Sequence, residues 1–332
     1  MRVSFERMYQ EFLRVLLKMG FRQHRAELCA RLFAETSRDG VYSHGLNRFP
    51  RFIEYIKKGY IDVHAEPERI FAFGAFERWD GKLGPGNLNA YFCMDRAIHL
   101  ARQNGTGAVA IKNTNHWMRA GTYGWQAAEA GCIGMCWTNT QPNMPAWGGK
   151  DRKLGNNPFV ISVPREKGHV VLDMATSLYS YGKLEYYRRQ GQQLPFEGGF
   201  DKQGKLTKDP AAIEESWRTL PIGYWKGAGL ALMLDLTATL LSTGKSTFQL
   251  GKHEDEYGLS QVFIAFDVNT LVGKKLAGEL VEEIIADLHR SIPASEDDRI
   301  YYPGERTLAS RRENMEKGIP VDPDYWQQVL EM

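Results

Sequence analysis

Apolar side chains recur at three- and four-residue steps at the start of the chain. Phe5, Met8, Phe12, Val15 and Leu16 fall on one helical face, and Gly20 is placed to stop that helix. A second helix is predicted over residues 25–36, with Leu28, Leu32 and Phe33 inward. The polar stretch from Ser37 through Asp39 and Ser43 to Gly45 reads as a loop. A third helix follows, faced by Phe49, Phe52, Ile53 and Ile56. If it begins near Gly45, Arg48 lies one turn after His44 and both can face one pocket.

From about residue 70 the pattern changes. Short apolar runs at 107–111, 133–137, 159–163, 170–172 and 262–266 read as strands. Helical patterns at 88–103, 123–130, 183–190, 229–242 and 276–289 are interleaved with them. This alternation predicts an α/β fold whose sheet is at least partly buried on both faces. Residues 306–316 and 325–330 return to helix and are expected to pack on the first helices. The predicted organisation is a discontinuous helical domain, 1–75 with 300–332, and an α/β cofactor- and substrate-binding domain, 76–299. Segments 198–204 and 252–258 read as surface excursions.

Composition narrows the function classes. The formal net charge is +2, so nothing in bulk favours nucleic acid or an anionic membrane. A few local arginines could still grip a small anion. The 4 cysteines, Cys29, Cys93, Cys132 and Cys136, are too sparse for a disulfide framework and read as buried small residues in a reducing cytoplasm. No secretory leader and no membrane-length apolar run are visible.

Gly105-Thr106-Gly107-Ala108-Val109-Ala110 matches a dinucleotide-binding glycine pattern, but in the wrong place. That pattern works between a strand and a helix, where the helix N-terminus meets the pyrophosphate. Here it follows a helix and opens a strand, so Gly105 reads as a helix stop. Gly223-Tyr224-Trp225-Lys226-Gly227-Ala228-Gly229 opens the long apolar helix. It is either an anion-binding turn or a plain helix entry.

His44 can move a proton near neutral pH, and Arg48 offers a planar fork for a carboxylate. Together they suit a substrate with a carboxylate beside a protonatable oxygen, although a solvated loop histidine and a surface arginine would look the same. His116, in Asn115-His116-Trp117-Met118-Arg119, follows the strand at 107–111, where open α/β sheets bind ligands. It could equally cap the next helix. Asp173 could cap a helix or bind a ribose hydroxyl.

Five ordered segments resemble the second type of malate/L-lactate dehydrogenase, a family unrelated to the Rossmann lactate dehydrogenases. They are Ser43-His44-Gly45 with Arg48 and Pro50; Asn113-Thr114-Asn115-His116 with Gly121 and Tyr123; Gly155-Asn156-Asn157-Pro158; Asp173-Met174-Ala175-Thr176-Ser177 with Gly182-Lys183; and Gly223-Tyr224-Trp225-Lys226-Gly227. With the flanking helices, the resemblance covers nearly the whole chain. Trp117 and Trp225 set apart a subfamily acting on 2-oxo sugar acids.

The resemblance implies a family-specific, non-Rossmann NAD-binding α/β fold and a homodimer with the active site near its interface. It implies NADH as cofactor, with NADPH possible. The cofactor would lie along His169, Val170, Val171, Leu172, Asp173, Met174 and Ala175, with Trp225, Lys226, Gly304, Glu305 and Arg306. His44 would be the catalytic proton donor, and Ser43, Arg48 and His116 would bind the substrate. The implied reaction is reduction of the C2 carbonyl of a 2-oxo sugar acid, 2,3-diketo-L-gulonate first. Malate-, lactate- or ureidoglycolate-type 2-hydroxy acids are the alternative substrates. A metal-dependent hydrolase using His44 and His116 is disfavoured, because no H-x-H, H-E-x-x-H or cysteine quartet occurs. No metal is expected.

Overall fold

Short apolar runs bounded by turns build a mixed sheet. The computed structural model describes residues 1–296 and 298–332. Its central sheet has seven strands: β1 (Glu68–Phe73), β2 (Phe76–Asp80), β3 (Thr106–Thr114), β4 (Cys132–Thr138), β5 (Phe159–Val163), β6 (Val170–Met174) and β7 (Leu259–Asp267). Their spatial order is β1-β2-β3-β7-β4-β5-β6. β2 and β3 pair parallel, and every other neighbouring pair is antiparallel.

The middle strands are covered on both faces, which is why they read as continuous apolar runs. Helices Gly86–Asn104 and Gly121–Glu129 pack on one face over Val109, Ile111, Cys136 and Phe263. Helix Trp225–Ser242 covers the other over Ala110, Trp137 and Val262. All four cysteines are free and buried. The β1–β2 hairpin was not expected from the pattern. β1 is exposed along its whole length, so it carries no inward alternation for sequence to display.

Helices Phe5–Lys18, Gln23–Arg38 and Phe49–Lys57 share a core with Trp326 and Val329 of the last helix, Pro323–Glu331. Arg2–Val3 pairs with Ile319–Pro320. The third helix starts later than the spacing predicted. Tyr42–His44 and Leu46–Arg48 are two 3₁₀ turns, and the α-helix begins at Phe49 with Pro50 in its first turn. Proline is favoured there because its missing N–H is an orphan position anyway.

The mock dinucleotide pattern resolves into packing. Gly105, at φ +80°, closes helix Gly86–Asn104 before β3. A Cβ at Gly107 would collide with the Ala97 carbonyl and Leu100, so that glycine lets strand and helix touch.

Candidate active site

His44 is positioned by close backbone contacts. A Cβ on Gly45 would collide with Ser37 Oγ, and that same hydroxyl accepts the Leu46 N–H at 2.9 Å. The turn carrying His44 is thereby seated on helix Gln23–Arg38. From the other side, a Cβ on Gly182 would come within 2.7 Å of Ser43 Cβ, so the first turn of helix Tyr181–Arg189 presses on Ser43. Ser43 Oγ and His44 Nδ1 are hydrogen-bonded at 2.9 Å.

Ser43, His44, Arg48 and His116, singled out from sequence, line one cavity of about 820 Å³. The His44 and His116 rings are 5.8 Å apart and 27° from parallel. The Met118 N–H donates to His116 Nδ1 at 3.0 Å. Neutral His116 therefore carries its proton on Nε2 and is a donor at that atom. Among the described residues Arg48 has no carboxylate within ion-pair distance, although Arg51 and Glu256 line the same space.

The charged groups that act on the two histidines are all cationic. Burial, with Arg48 and Arg119, lowers the His44 pKa to about 4. Burial, with Arg48, His44 and Arg51, holds His116 well below the usual histidine range. Both imidazoles are neutral at pH 7 in the free protein. An unfolded histidine titrates near 6.5, so between about pH 6.5 and pH 4 the unfolded chain binds protons the folded chain refuses. Stability should therefore fall as pH drops through that window. Urea unfolding at pH 7.5 and pH 5 measures it, and His44→Gln with His116→Gln should shrink the difference. An unchanged difference would place the loss elsewhere.

Sequence reasoning missed the ion cluster behind this site. Asp39, 3% exposed at its side chain, accepts from Arg119 at 2.6 Å, from Arg38 at 2.9 Å and from both nitrogens of the Arg311 fork at 2.8 Å. Arg119 follows His116 closely in sequence. Arg311 comes from helix Glu305–Lys317, 272 residues away, so no local spacing could reveal the pair. Thr140, Asn143, Asn156, Tyr181 and Trp217 also line the cavity and were not singled out as substrate contacts.

The segments expected to hold a cofactor meet along β6, the open edge of the sheet. At one end the Val171 N–H donates to the Pro303 carbonyl at 2.8 Å. Gly304 lies there at φ +98°, where an added Cβ would sit 3.1 Å from Val171 N and 3.2 Å from the His169 carbonyl. Beyond the other end, the Ile222 N–H donates to the Thr176 carbonyl at 2.9 Å, which brings the Gly223–Lys226 turn beside the strand. Leu172, Trp225, Lys226 and Arg306 are exposed. Among the described residues neither Lys226 nor Arg306 has an acidic partner, and Thr176 Oγ1 is buried without a hydrogen-bond partner. Open strand, close glycine, free cations and an orphan hydroxyl fit an extended anionic dinucleotide. Glu305 is already engaged, with His289 at 3.0 Å.

Residues 3–330 match the malate/L-lactate dehydrogenase family. The chain belongs to that family. As a member of the malate/L-lactate dehydrogenase family it is an oxidoreductase. It is 48% identical over 330 residues to a protein named 2,3-diketo-L-gulonate reductase from Pasteurella multocida, covering 99% of each chain. It is 46% identical over 330 residues to one of the same name from Citrobacter koseri, again covering 99% of each. Its fold matches the malate dehydrogenase of Entamoeba histolytica with a TM-score of 0.95 at 27% identity, covering 100% of this chain and 96% of that one. It matches the sulfolactate dehydrogenase of Methanocaldococcus jannaschii with a TM-score of 0.89 at 31% identity, covering 100% and 96%. The expected family and α/β fold are thus found. The family's enzymes are nicotinamide-dependent dehydrogenases.

Proposed function

We propose that the chain reduces the C2 carbonyl of 2,3-diketo-L-gulonate, giving 3-keto-L-gulonate, with NADH as its cofactor. The observation that carries the reading is Arg48, without an acidic partner among the described residues, beside two neutral histidines in one cavity. The names of the two relatives at 46% and 48% identity support the substrate. His169 to Ala175, Trp225, Lys226, Gly304, Glu305 and Arg306 would hold the dinucleotide along β6. A reduced nicotinamide held there would supply the hydride for the carbonyl carbon.

The protein's own groups do the rest. Arg48 takes the carboxylate in its fork, which fixes which carbonyl is presented. His116 Nε2–H donates to the substrate oxygens, and Ser43 holds His44 through Nδ1. His44 is the proton source for the oxygen that becomes a hydroxyl. It is neutral in the free protein because burial, aided by Arg48 and Arg119, disfavours its charged form. The arriving carboxylate offsets Arg48, so substrate binding raises the proton affinity of His44 at the moment a proton is needed.

Arg48→Lys tests the clamp. A lysine keeps the charge but loses the fork, so KM for the 2-oxo acid should rise about tenfold or more, with a smaller change in kcat. An unchanged KM would remove Arg48 from the substrate. The substrate itself is tested by following NADH absorbance, and then NADPH, against a panel of 2-oxo acids that includes 2,3-diketogulonate. No turnover of that acid, with turnover of others, would reject the assignment.

We also read the chain as a cytoplasmic homodimer. Leu232, Met233, Leu236 and Leu240, 44–71% exposed, form a bare apolar face on helix Trp225–Ser242. A second copy would cover it. Among the described residues no helix is long and apolar enough to cross a membrane.

A further inference from the structure

One wall of the active-site cavity is built for something the carbonyl chemistry does not use. Asn143, 7% exposed, is clamped through its backbone. Its N–H donates to the Leu154 carbonyl at 2.9 Å, and its own carbonyl accepts from Thr219 Oγ1 at 3.2 Å and Tyr181 Oη at 3.3 Å. Its side-chain Nδ2 donates to Asn156 Oδ1 at 2.9 Å. The remaining group, Asn143 Oδ1, is buried and has no partner. A hydrogen-bond donor that reached it would complete Asn143, which lines the cavity, and an unsatisfied buried acceptor is expensive.

Beside it stands an aromatic wall. Trp217 lies 5.1 Å from Tyr181, ring to ring, at 35°. Trp217 closes helix Pro210–Ser216 in the left-handed conformation of a helix C-cap, its N–H donating to the Ile213 carbonyl at 2.9 Å. It is 43% exposed and lines the cavity.

We infer that Asn143, Tyr181 and Trp217 form the subsite for the polyhydroxylated tail of the substrate. Asn143 Oδ1 accepts from a tail hydroxyl, and the two rings cover its carbon chain. The inference rests on the sugar-acid reading above and adds the residues that enforce it. A ketone or a carboxylate cannot donate to Asn143 Oδ1; a hydroxyl can. A short 2-oxo acid held by Arg48 leaves this acceptor unpaired, and the cavity of about 820 Å³ has room for more than three or four carbons. Discrimination for the polyol comes from this acceptor together with the aromatic wall beside it.

The test compares kcat/KM for 2,3-diketo-L-gulonate with that for 2-oxobutanoate, in the full-length protein, Asn143→Leu and Trp217→Ala. The ratio of the two values should fall about tenfold to a hundredfold in Asn143→Leu, through a higher KM for the sugar acid. It should also fall in Trp217→Ala, a half-exposed position where folding is not at stake. Equal losses on both substrates, or an unchanged ratio in both variants, would overturn the subsite while leaving the sugar-acid reading standing. If the unaltered protein turns over 2-oxobutanoate but not the sugar acid, the functional reading itself fails and takes the subsite with it.

Discussion

His44→Ala is expected to lower kcat for reduction of the 2-oxo acid by about a hundredfold to ten-thousandfold, the usual contribution of a positioned general acid. The fold should survive the change. The turn carrying His44 is fixed by Gly45 against Ser37 and by Gly182 against Ser43, not by the imidazole. KM should move little, because Arg48 still takes the carboxylate. Steady-state rates at saturating NADH give the answer, with cofactor binding followed by fluorescence as a control. A variant with full kcat would end the assignment. His116 could not then inherit the role easily, because its Nδ1 is held by the Met118 N–H.

Asp39→Ala should be the most damaging single change to stability, at about 3–5 kcal/mol. One buried carboxylate faces Arg38, Arg119 and Arg311. Burial alone would raise its pKa, but the Arg311, Arg119 and Arg38 guanidiniums outweigh burial and leave it at about 2. Its stabilising effect is therefore complete above about pH 4 and is lost as pH falls toward 2. Without it, Arg119, 5% exposed at its side chain, has lost its only ion-pair partner among the described residues. Urea denaturation at neutral pH reads the effect directly. A loss below about 1 kcal/mol, typical of an exposed pair, would show that the cluster is solvated in solution.

How much of this was legible in the sequence depended on range. The helix at Phe5–Lys18 and the strands near Ile111 and Phe263 follow local periodicity, and periodicity displays them. His44, Arg48 and His116 could be singled out because each carries distinctive chemistry in a polar segment. Their convergence could not, since His44 and His116 approach only through tertiary packing. Arg48 was expected on the same helical turn as His44. The structure separates them with two 3₁₀ turns, because Gly45 must lie flat on Ser37. Asp39 looked like one more loop aspartate, and its partners Arg119 and Arg311 come from distant elements. Asn143 was invisible for a different reason. What marks it is a hydrogen bond it lacks, and sequence cannot show an unsatisfied atom.

The pairing of Arg2–Val3 with Ile319–Pro320 has a consequence for how the protein is made. The first helices emerge early in synthesis, yet Phe12, Phe33 and Phe49 share their core with Trp326 and Val329 near the other terminus. That core is complete only once residues 326–329 have been made, so the aromatic face of the first helices is uncovered until then. The turn carrying His44 also touches helix Glu305–Lys317, where Asn314 Nδ2 donates to Tyr42 Oη at 3.3 Å. The turn carrying His44 therefore gains its contact with Ser37 early and its contact with Asn314 only once residue 314 has been made.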